Sequence, residues 1–161
     1  MGQLSSRKAL EKLKEGNRNF CDGKPGHEKQ DAARRAELAA GQEPFAVVLS
    51  CADSRVVPEL VFDVGLGEIF VVRVAGNIAN TSSIASIEYA IQHLNPKVNL
   101  VVVLGHEGCG AVKVALGGGD CGHHLNMLLA HLQPAVSQAT GKTDGAKLVS
   151  TVKKNARLTA K

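Results

Sequence analysis

Three apolar, valine-rich segments constrain the fold of this sequence more than any other feature. Turn residues bound each segment, and the three are FAVVLS (45–50), EIFVVRVA (68–75) and VNLVVVLG (98–105). Strands that are apolar on both faces are typical of parallel sheets that helices cover on both sides. Between the second and third segments, isoleucine and leucine recur at helical spacing over residues 80–94. A strand, a helix and a further strand in this order predict a βαβ unit.

Helical patterns occur on both sides of these segments. They cover residues 4–20, 31–40, 123–139 and 144–157, and a shorter helix is expected directly after the third strand. The sequence therefore predicts an α/β fold class: a three-layer domain with a central, mainly parallel sheet of three readable strands, flanked by helices. We expect one domain over residues 1–161, with a helical arm at 1–43 and an α/β core at 44–161.

Composition argues against several classes of function. The formal net charge is +4, but the basic residues are scattered and aromatic residues make up only 3% of the chain. Nucleic-acid binding usually needs a concentrated basic stripe with stacking aromatics, so we expect no nucleic-acid partner. No run of about 18 apolar residues is present, so we expect no membrane partner.

The charged N-terminal segment lacks the apolar core of a secretory signal, which predicts a cytoplasmic protein. MGQLSS also fits the short myristoylation pattern at Gly2, which matters only in a eukaryotic cell. In a reducing cytoplasm, metal binding or chemistry is a better reason than disulfides for the presence of four cysteines.

Polar side chains follow the first and third apolar segments. Cys51, Asp53 and Arg55 occupy alternate positions after the first segment, so they point to one face if the backbone stays extended. His106 and Cys109 follow the third segment and are three residues apart, a spacing that one helical turn brings together. A single cysteine at a strand end is often only a small core residue. If the two strands are neighbours, however, two thiols and one imidazole converge at the end of the sheet where ligands bind.

Two thiolates and one imidazole form a ligand set suited to zinc. Structural zinc sites are closed by four protein ligands, whereas catalytic sites have three and an open fourth position. Cys51, His106 and Cys109 therefore predict a catalytic type of zinc site. A second Cys/His group, at Cys121 and the adjacent His123 and His124, could also bind metal, but its glycine-rich surroundings favour exposed loop residues.

CADSR (51–55) followed by HEGC (106–109) resembles the CxDxR and HxxC pair of the β-class carbonic anhydrases. The resemblance extends through RVAGN (73–77), SIEYAI (86–91) and GCGAV (108–112). It implies one Zn²⁺ per chain on Cys51, His106 and Cys109, and hydration of carbon dioxide to bicarbonate and a proton by a zinc-bound hydroxide. It also implies a homodimer or higher homo-oligomer.

The resemblance gives Asp53 and Arg55 catalytic roles. Asp53 would orient the hydroxide by accepting its hydrogen bond, and Arg55 would hold the carboxylate in a bidentate pair. Without that restraint Asp53 could bind zinc itself and close the open position. The alternative for the pair is a structural salt bridge in a loop.

The resemblance also places Gln42, Phe70 and Tyr89 in the substrate pocket, partly across a dimer interface. From the residues alone, Phe70 and Tyr89 would be core aromatics and Gln42 a polar loop residue. Family members continue with a further strand and terminal helices, whereas this chain ends at LTAK. The third strand could therefore be left as an apolar sheet edge. Three explanations are open: a truncated gene product, a naturally short form, or an edge that a partner subunit completes.

Two alternatives to carbon dioxide hydration remain at this point. Relatives in the superfamily hydrolyse carbonyl sulfide or carbon disulfide with the same zinc chemistry, and pocket shape decides between these substrates. The other alternative is a truncated, non-catalytic zinc-binding subunit.

Overall fold

A computed structural model describes residues 4–94 and 98–161 of the chain, so the myristoylation pattern at Gly2 lies outside the described residues. The strands are β1 (Ala46–Ser50), β2 (Ile69–Arg73) and β3 (Val101–Leu104). The helices are α1 (Ser6–Cys21), α2 (Ala32–Glu37), α3 (Pro58–Val61), α4 (Thr81–Tyr89), α5 (Gly110–Gly117), α6 (His123–Ala130), α7 (Gln133–Ser137) and α8 (Asp144–Thr159). A 3₁₀ turn follows α2 at Leu38–Ala40, another lies at Ala75–Asn77, and a π-helical segment at Ala90–Leu94 continues α4.

The three strands form one parallel sheet in the order β2-β1-β3, which confirms the predicted α/β class. All five residues of β1 are buried, as expected for the central strand. Backbone hydrogen bonds connect the carboxyl ends of β1 and β2: Val74 N–H donates to the Ser50 carbonyl at 3.0 Å, and Ala52 N–H donates to the Val74 carbonyl at 3.3 Å. β1 and β3 are neighbours in the sheet, which meets the condition for the predicted convergence of their carboxyl ends.

The described chain forms two compact units. The first contains the described parts of Met1–Val48, Arg55–Val72 and Ala85–Val102, and the second contains Leu49–Ser54, Arg73–Ile84 and Val103–Lys161. The second unit therefore holds the carboxyl-terminal residues of all three strands. The single domain expected from the sequence stays a prediction.

In the first unit, Val47, Ala90 and Val98 form a buried apolar cluster. Helix α1 packs against α3 through its buried face, where Gly16 lies beside the Phe62 backbone. A Cβ atom at Gly16 would lie only 1.7 Å from the Phe62 carbonyl oxygen, so this contact requires glycine.

In the second unit, α5 is the central helix and contacts α6, α7 and α8. Buried apolar side chains of this unit form a cluster, whose members are Cys51, Ile78, Cys109, Val112, Ala115, Leu129, Leu132 and Val152. Two of the predicted metal ligands therefore belong to a packed core, which limits their movement.

The main departure from the predicted helices is at residues 123–139. The structure has two helices there, α6 and α7, with His131 and Leu132 between them. Pro134 lies in the first turn of α7, where its missing N–H and fixed φ are tolerated, whereas inside a longer helix it would remove a hydrogen bond. Among the described residues, none of the helices combines the length and apolar character that a membrane crossing requires.

Candidate metal centre

The carboxyl ends of β1 and β3 bring Cys51, His106 and Cys109 together. Cys51 follows β1 directly, His106 follows β3 after one glycine, and Cys109 is the residue that precedes α5. One ligand atom from each residue lies within 4.8 Å of the other two, and the sulfur atoms of Cys51 and Cys109 are 3.9 Å apart. Both thiols are buried, with exposed fractions of 4% and 1%.

This arrangement fits a tetrahedral zinc ion. Zn–S bonds of about 2.3 Å at a tetrahedral angle place two sulfur atoms about 3.8 Å apart, close to the observed separation. His106 Nδ1 is 3.1 Å from the Glu107 carbonyl oxygen, and a proton on Nδ1 would donate to that oxygen. His106 Nε2 is buried and has no hydrogen-bond partner. A buried nitrogen without a hydrogen-bond partner is unfavourable, and a metal bound to the Nε2 lone pair would remove that cost.

The two thiols share their protons unequally. The contact between the two sulfur atoms, in which either can donate, lowers the pKa of Cys51 although burial acts in the opposite direction. The same contact raises the pKa of Cys109, and burial adds to that rise. These opposite shifts favour one thiolate and one thiol over two thiolates while no dication is bound. A bound dication would displace the remaining proton, because thiolates are the metal ligands.

Two residues of the β2 end hold the Cys51 loop. Gly76 N–H donates to Cys51 Sγ at 3.3 Å. The Arg73 guanidinium donates to two backbone carbonyls, from Nε to Cys51 at 3.0 Å and from Nη2 to Asp53 at 2.7 Å. The loop after β1 is thus fixed by contacts to the Cys51 side chain and to the Cys51 and Asp53 backbone.

Asp53 lies beside the ligand set, and its Oδ2 atom is 3.8 Å from His106 Nε2. The Asp53 and His106 side chains are 16% and 9% exposed, so the carboxylate is mostly screened from solvent. The distance exceeds a hydrogen bond, so Nε2 remains available. Arg55 is exposed and belongs to the first unit. Its predicted pairing with Asp53 stays a prediction.

The predicted pocket residues all belong to the first unit. Gln42 is exposed, Phe70 is half-buried and Tyr89 is 51% exposed. The structure brings the rings of Phe70 and Tyr89 together, with centroids 6.5 Å apart, and the His93 ring lies 5.5 Å from Tyr89. Their role in substrate binding stays a prediction.

The second Cys/His group is not clustered for metal binding. His123 and His124 are exposed in the first turn of α6 rather than in a loop, with ring centroids 5.1 Å apart, and Cys121 is half-buried. Within residues 4–94 and 98–161, Cys51, His106 and Cys109 form the group that could hold a metal.

Sequence reasoning missed three residues around the site: Arg73, Gly76 and Asn155. The segment RVAGN, which contains Arg73 and Gly76, was noted only because it resembles the family. A hydrogen bond from a backbone N–H to a sulfur atom cannot be recognised from the residue types. Asn155 Nδ2 donates to the Gly76 carbonyl at 2.7 Å from the buried face of α8. Lys153 and Lys154, next to Asn155, are typical of a solvated helix face and give no sign of a buried neighbour. The spacing of the buried residues Thr151, Val152 and Asn155 could have indicated a packed face.

Comparisons with known proteins identify the family of this chain. The profile of the family described as carbonic anhydrase matches residues 46–161. Carbonic anhydrase 2 of Mycobacterium tuberculosis is 47% identical over 141 residues, which cover 85% of this chain and 66% of that protein. The carbonic anhydrase of Mycolicibacterium smegmatis is 51% identical over 114 residues, which cover 71% of this chain and 54% of that protein. The chain thus spans about two thirds or less of the length of these curated relatives.

A solved structure extends the likeness to the fold. The Coccomyxa β-carbonic anhydrase in complex with acetazolamide superposes with a TM-score of 0.72 and 26% identity, and the match covers 93% of this chain and 69% of that one. The matched family profile spans most of the chain, and the Cys-His-Cys cluster lies inside the matched fold. The chain therefore belongs to the β class of the carbonic anhydrase family.

Proposed function

We propose that this chain binds one zinc ion through Cys51, His106 and Cys109 and catalyses the reversible hydration of carbon dioxide. One observation carries the proposal: three soft or borderline ligand atoms lie within 4.8 Å of one another, and Nε2 of His106 has no other partner. Sulfur and imidazole ligands together favour zinc over the hard cations. Three protein ligands leave one coordination position for chemistry.

The reaction is CO₂ + H₂O ⇌ HCO₃⁻ + H⁺. When bound, zinc supplies a water whose pKa falls from about 16 to about 7, so that a nucleophile exists at neutral pH. The Asp53 carboxylate would accept a hydrogen bond from the attacking water and orient it toward the carbon of carbon dioxide. Arg55 would keep that carboxylate away from the ligand set, and Arg73 would keep the Cys51 loop in place. The proton then leaves to solvent and bicarbonate dissociates.

The test is stopped-flow hydration of carbon dioxide by purified protein with its zinc content measured in the same sample. We expect one zinc per chain, rapid hydration, and inhibition by acetazolamide, the compound bound to the Coccomyxa protein. Cys109→Ser removes a ligand and should abolish both zinc binding and hydration. The matched control is Cys21→Ser, because Cys21 is an exposed thiol at the end of α1. It should retain both properties.

Three results would contradict the proposal. Full zinc content and activity in Cys109→Ser would refute the ligand set. Zinc-loaded wild type that consumes carbonyl sulfide but not carbon dioxide would indicate a hydrolase of the same superfamily. Zinc-loaded wild type that reacts with neither compound would indicate a non-catalytic subunit.

We also propose that the chain forms a homodimer or higher homo-oligomer and works in the cytoplasm. The half-exposed Tyr89 offers an aromatic contact surface of the kind enriched at interfaces. Sedimentation velocity tests the assembly: a wild type that stays monomeric at micromolar concentration would refute it, and Tyr89→Ser should weaken it.

A further inference from the structure

The turn that follows β2 carries the N–H group that contacts Cys51. Gly76 in this turn has φ 73° and donates its N–H to Cys51 Sγ at 3.3 Å. Hydrogen bonds to a ligand sulfur orient it and tune its interaction with a metal. The position of Gly76 therefore affects the metal centre although Gly76 is not a ligand.

This turn is conformationally demanding. Gly76 lies in the left-handed region, and a Cβ atom there would approach Leu132 Cδ1 to 3.2 Å and Ala111 Cβ to 3.4 Å. Asn77 also has a positive φ, 44°, which is unfavourable for a residue with a side chain. Two consecutive left-handed residues persist only where surrounding groups fix them.

Helix α8 supplies that support through one side chain. Asn155 is 3% exposed, and its Nδ2 donates to the Gly76 carbonyl at 2.7 Å. The N–H of the same peptide group, on Asn77, donates to the Val74 carbonyl at 2.9 Å. The peptide between Gly76 and Asn77 is therefore held at both its oxygen and its nitrogen. That constraint fixes the neighbouring Gly76 N–H, which points at sulfur.

We propose that Asn155 is a positioning residue of the metal centre, which acts through the Gly76 turn on the Cys51 thiolate. The inference rests on the proposed zinc site. Without the Asn155 amide, the buried Gly76 carbonyl loses its donor, and the turn can relax toward less strained angles. The N–H of Gly76 then moves from Cys51 Sγ, and the ligand set loses part of its preorganisation.

The test compares zinc affinity, by chelator competition, in wild type, Asn155→Leu and Thr151→Val. Leucine is close to asparagine in volume but has no donor. Thr151 is the matched control, because it is fully buried one turn earlier on α8 and its hydroxyl donates only within the helix, to the Lys147 carbonyl at 2.8 Å. We expect zinc binding to weaken about tenfold or more in Asn155→Leu and to stay within about twofold of wild type in Thr151→Val.

A spectroscopic readout separates positioning from stability. With Co²⁺ in place of zinc, Asn155→Leu should shift the thiolate-to-metal charge-transfer band, and Thr151→Val should leave it unchanged. If both variants lower the unfolding temperature but neither changes metal affinity nor the cobalt spectrum, Asn155 is only structural and the inference is wrong.

A further measurement needs no variant, in case Asn155→Leu does not fold. In wild type loaded with an NMR-active cadmium isotope, the Gly76 amide proton should show scalar coupling to the metal through the Cys51 sulfur. Absence of that coupling would overturn the inference. Wild type that binds no metal would overturn the proposed function and this inference together, whereas metal-bound wild type with an unaffected Asn155→Leu would overturn the inference alone.

Discussion

Glu68 gives the sharpest prediction about stability. Its Oε1 atom accepts hydrogen bonds from the ammonium groups of Lys12 and Lys29, both at 2.7 Å, and Oε2 accepts from Gly65 N–H at 2.8 Å. The Glu68 side chain is only 11% exposed. Burial raises its pKa, but the two lysines and the Gly65 N–H outweigh burial and lower the pKa from 4.5 to about 2.

The size of the effect follows from this shift. A fall from 4.5 to about 2 corresponds to roughly 3 kcal/mol, at about 1.4 kcal/mol per pKa unit. The two lysine side chains are 40% and 48% exposed, so solvent screens part of that energy. We therefore expect Glu68→Gln to lower the free energy of unfolding by about 2 kcal/mol at pH 7.

The pH dependence has a definite sign. A carboxylate with a lowered pKa stabilises the folded state fully above its unfolded pKa, and that contribution is lost as pH falls toward the folded pKa. The stability difference between wild type and Glu68→Gln should therefore be constant above about pH 5 and shrink between pH 4.5 and about 2. Acid would also displace the proposed zinc from both proteins, so the difference between them is the quantity to follow.

Urea unfolding of both proteins at several pH values measures this difference. The control is Glu37→Gln, because Glu37 forms an ion pair with Arg34 at 2.9 Å but is 67% exposed. Exposed pairs contribute about 0–1 kcal/mol, so this variant should lose little stability. Equal losses for the two variants, or a loss in Glu68→Gln that does not change with pH, would show that the Glu68 carboxylate does not stabilise the fold through these contacts.

Three further predictions concern catalysis, packing and metal removal. Asp53→Asn should retain zinc but lose at least about a hundredfold in hydration rate, and a near-normal rate in stopped-flow assays would remove Asp53 from the mechanism. Gly16→Ala should lower the free energy of unfolding by about 3 kcal/mol or more, because its Cβ would overlap the Phe62 carbonyl. Gly117→Ala, with open space around it, should change little, and equal urea midpoints for the two variants would contradict this. Zinc removal by a chelator should lower the unfolding temperature by about 5–10 °C, since a ligand at a hundred times its Kd adds about 2.7 kcal/mol; an unchanged temperature in calorimetry would argue against a bound metal.

The strands were predictable because each is a continuous apolar run bounded by turn residues. The parallel sheet followed from the helical pattern between the second and third runs. The break between α6 and α7 was missed because the helical spacing of apolar residues continues past Pro134. Pro134 is tolerated in the first turn of a helix but not in its interior, so a new helix begins just before it. The short helix α3 was missed because four residues carry too little periodicity.

The convergence of Cys51, His106 and Cys109 was predictable once β1 and β3 were taken as neighbours, since parallel strands end at one edge. The contacts that support these residues were not. The Asn155 amide reaches the Gly76 carbonyl because of how α8 packs within its unit. No local sequence pattern predicts such a tertiary contact. The aromatic pair of Phe70 and Tyr89 likewise depends on tertiary contact.

The contact between α8 and the Gly76 turn has a consequence for synthesis of the protein. About a hundred residues separate Cys51 from Asn155 in the chain, and ribosomes add about 5–20 residues per second. The thiol is thus made on the order of 5–20 seconds before the amide that supports its surroundings. All three proposed ligands precede α8, so a nascent chain could capture an ion early but would hold it beside an unsupported turn. The mature affinity for metal would be reached only after α8 leaves the ribosome and docks.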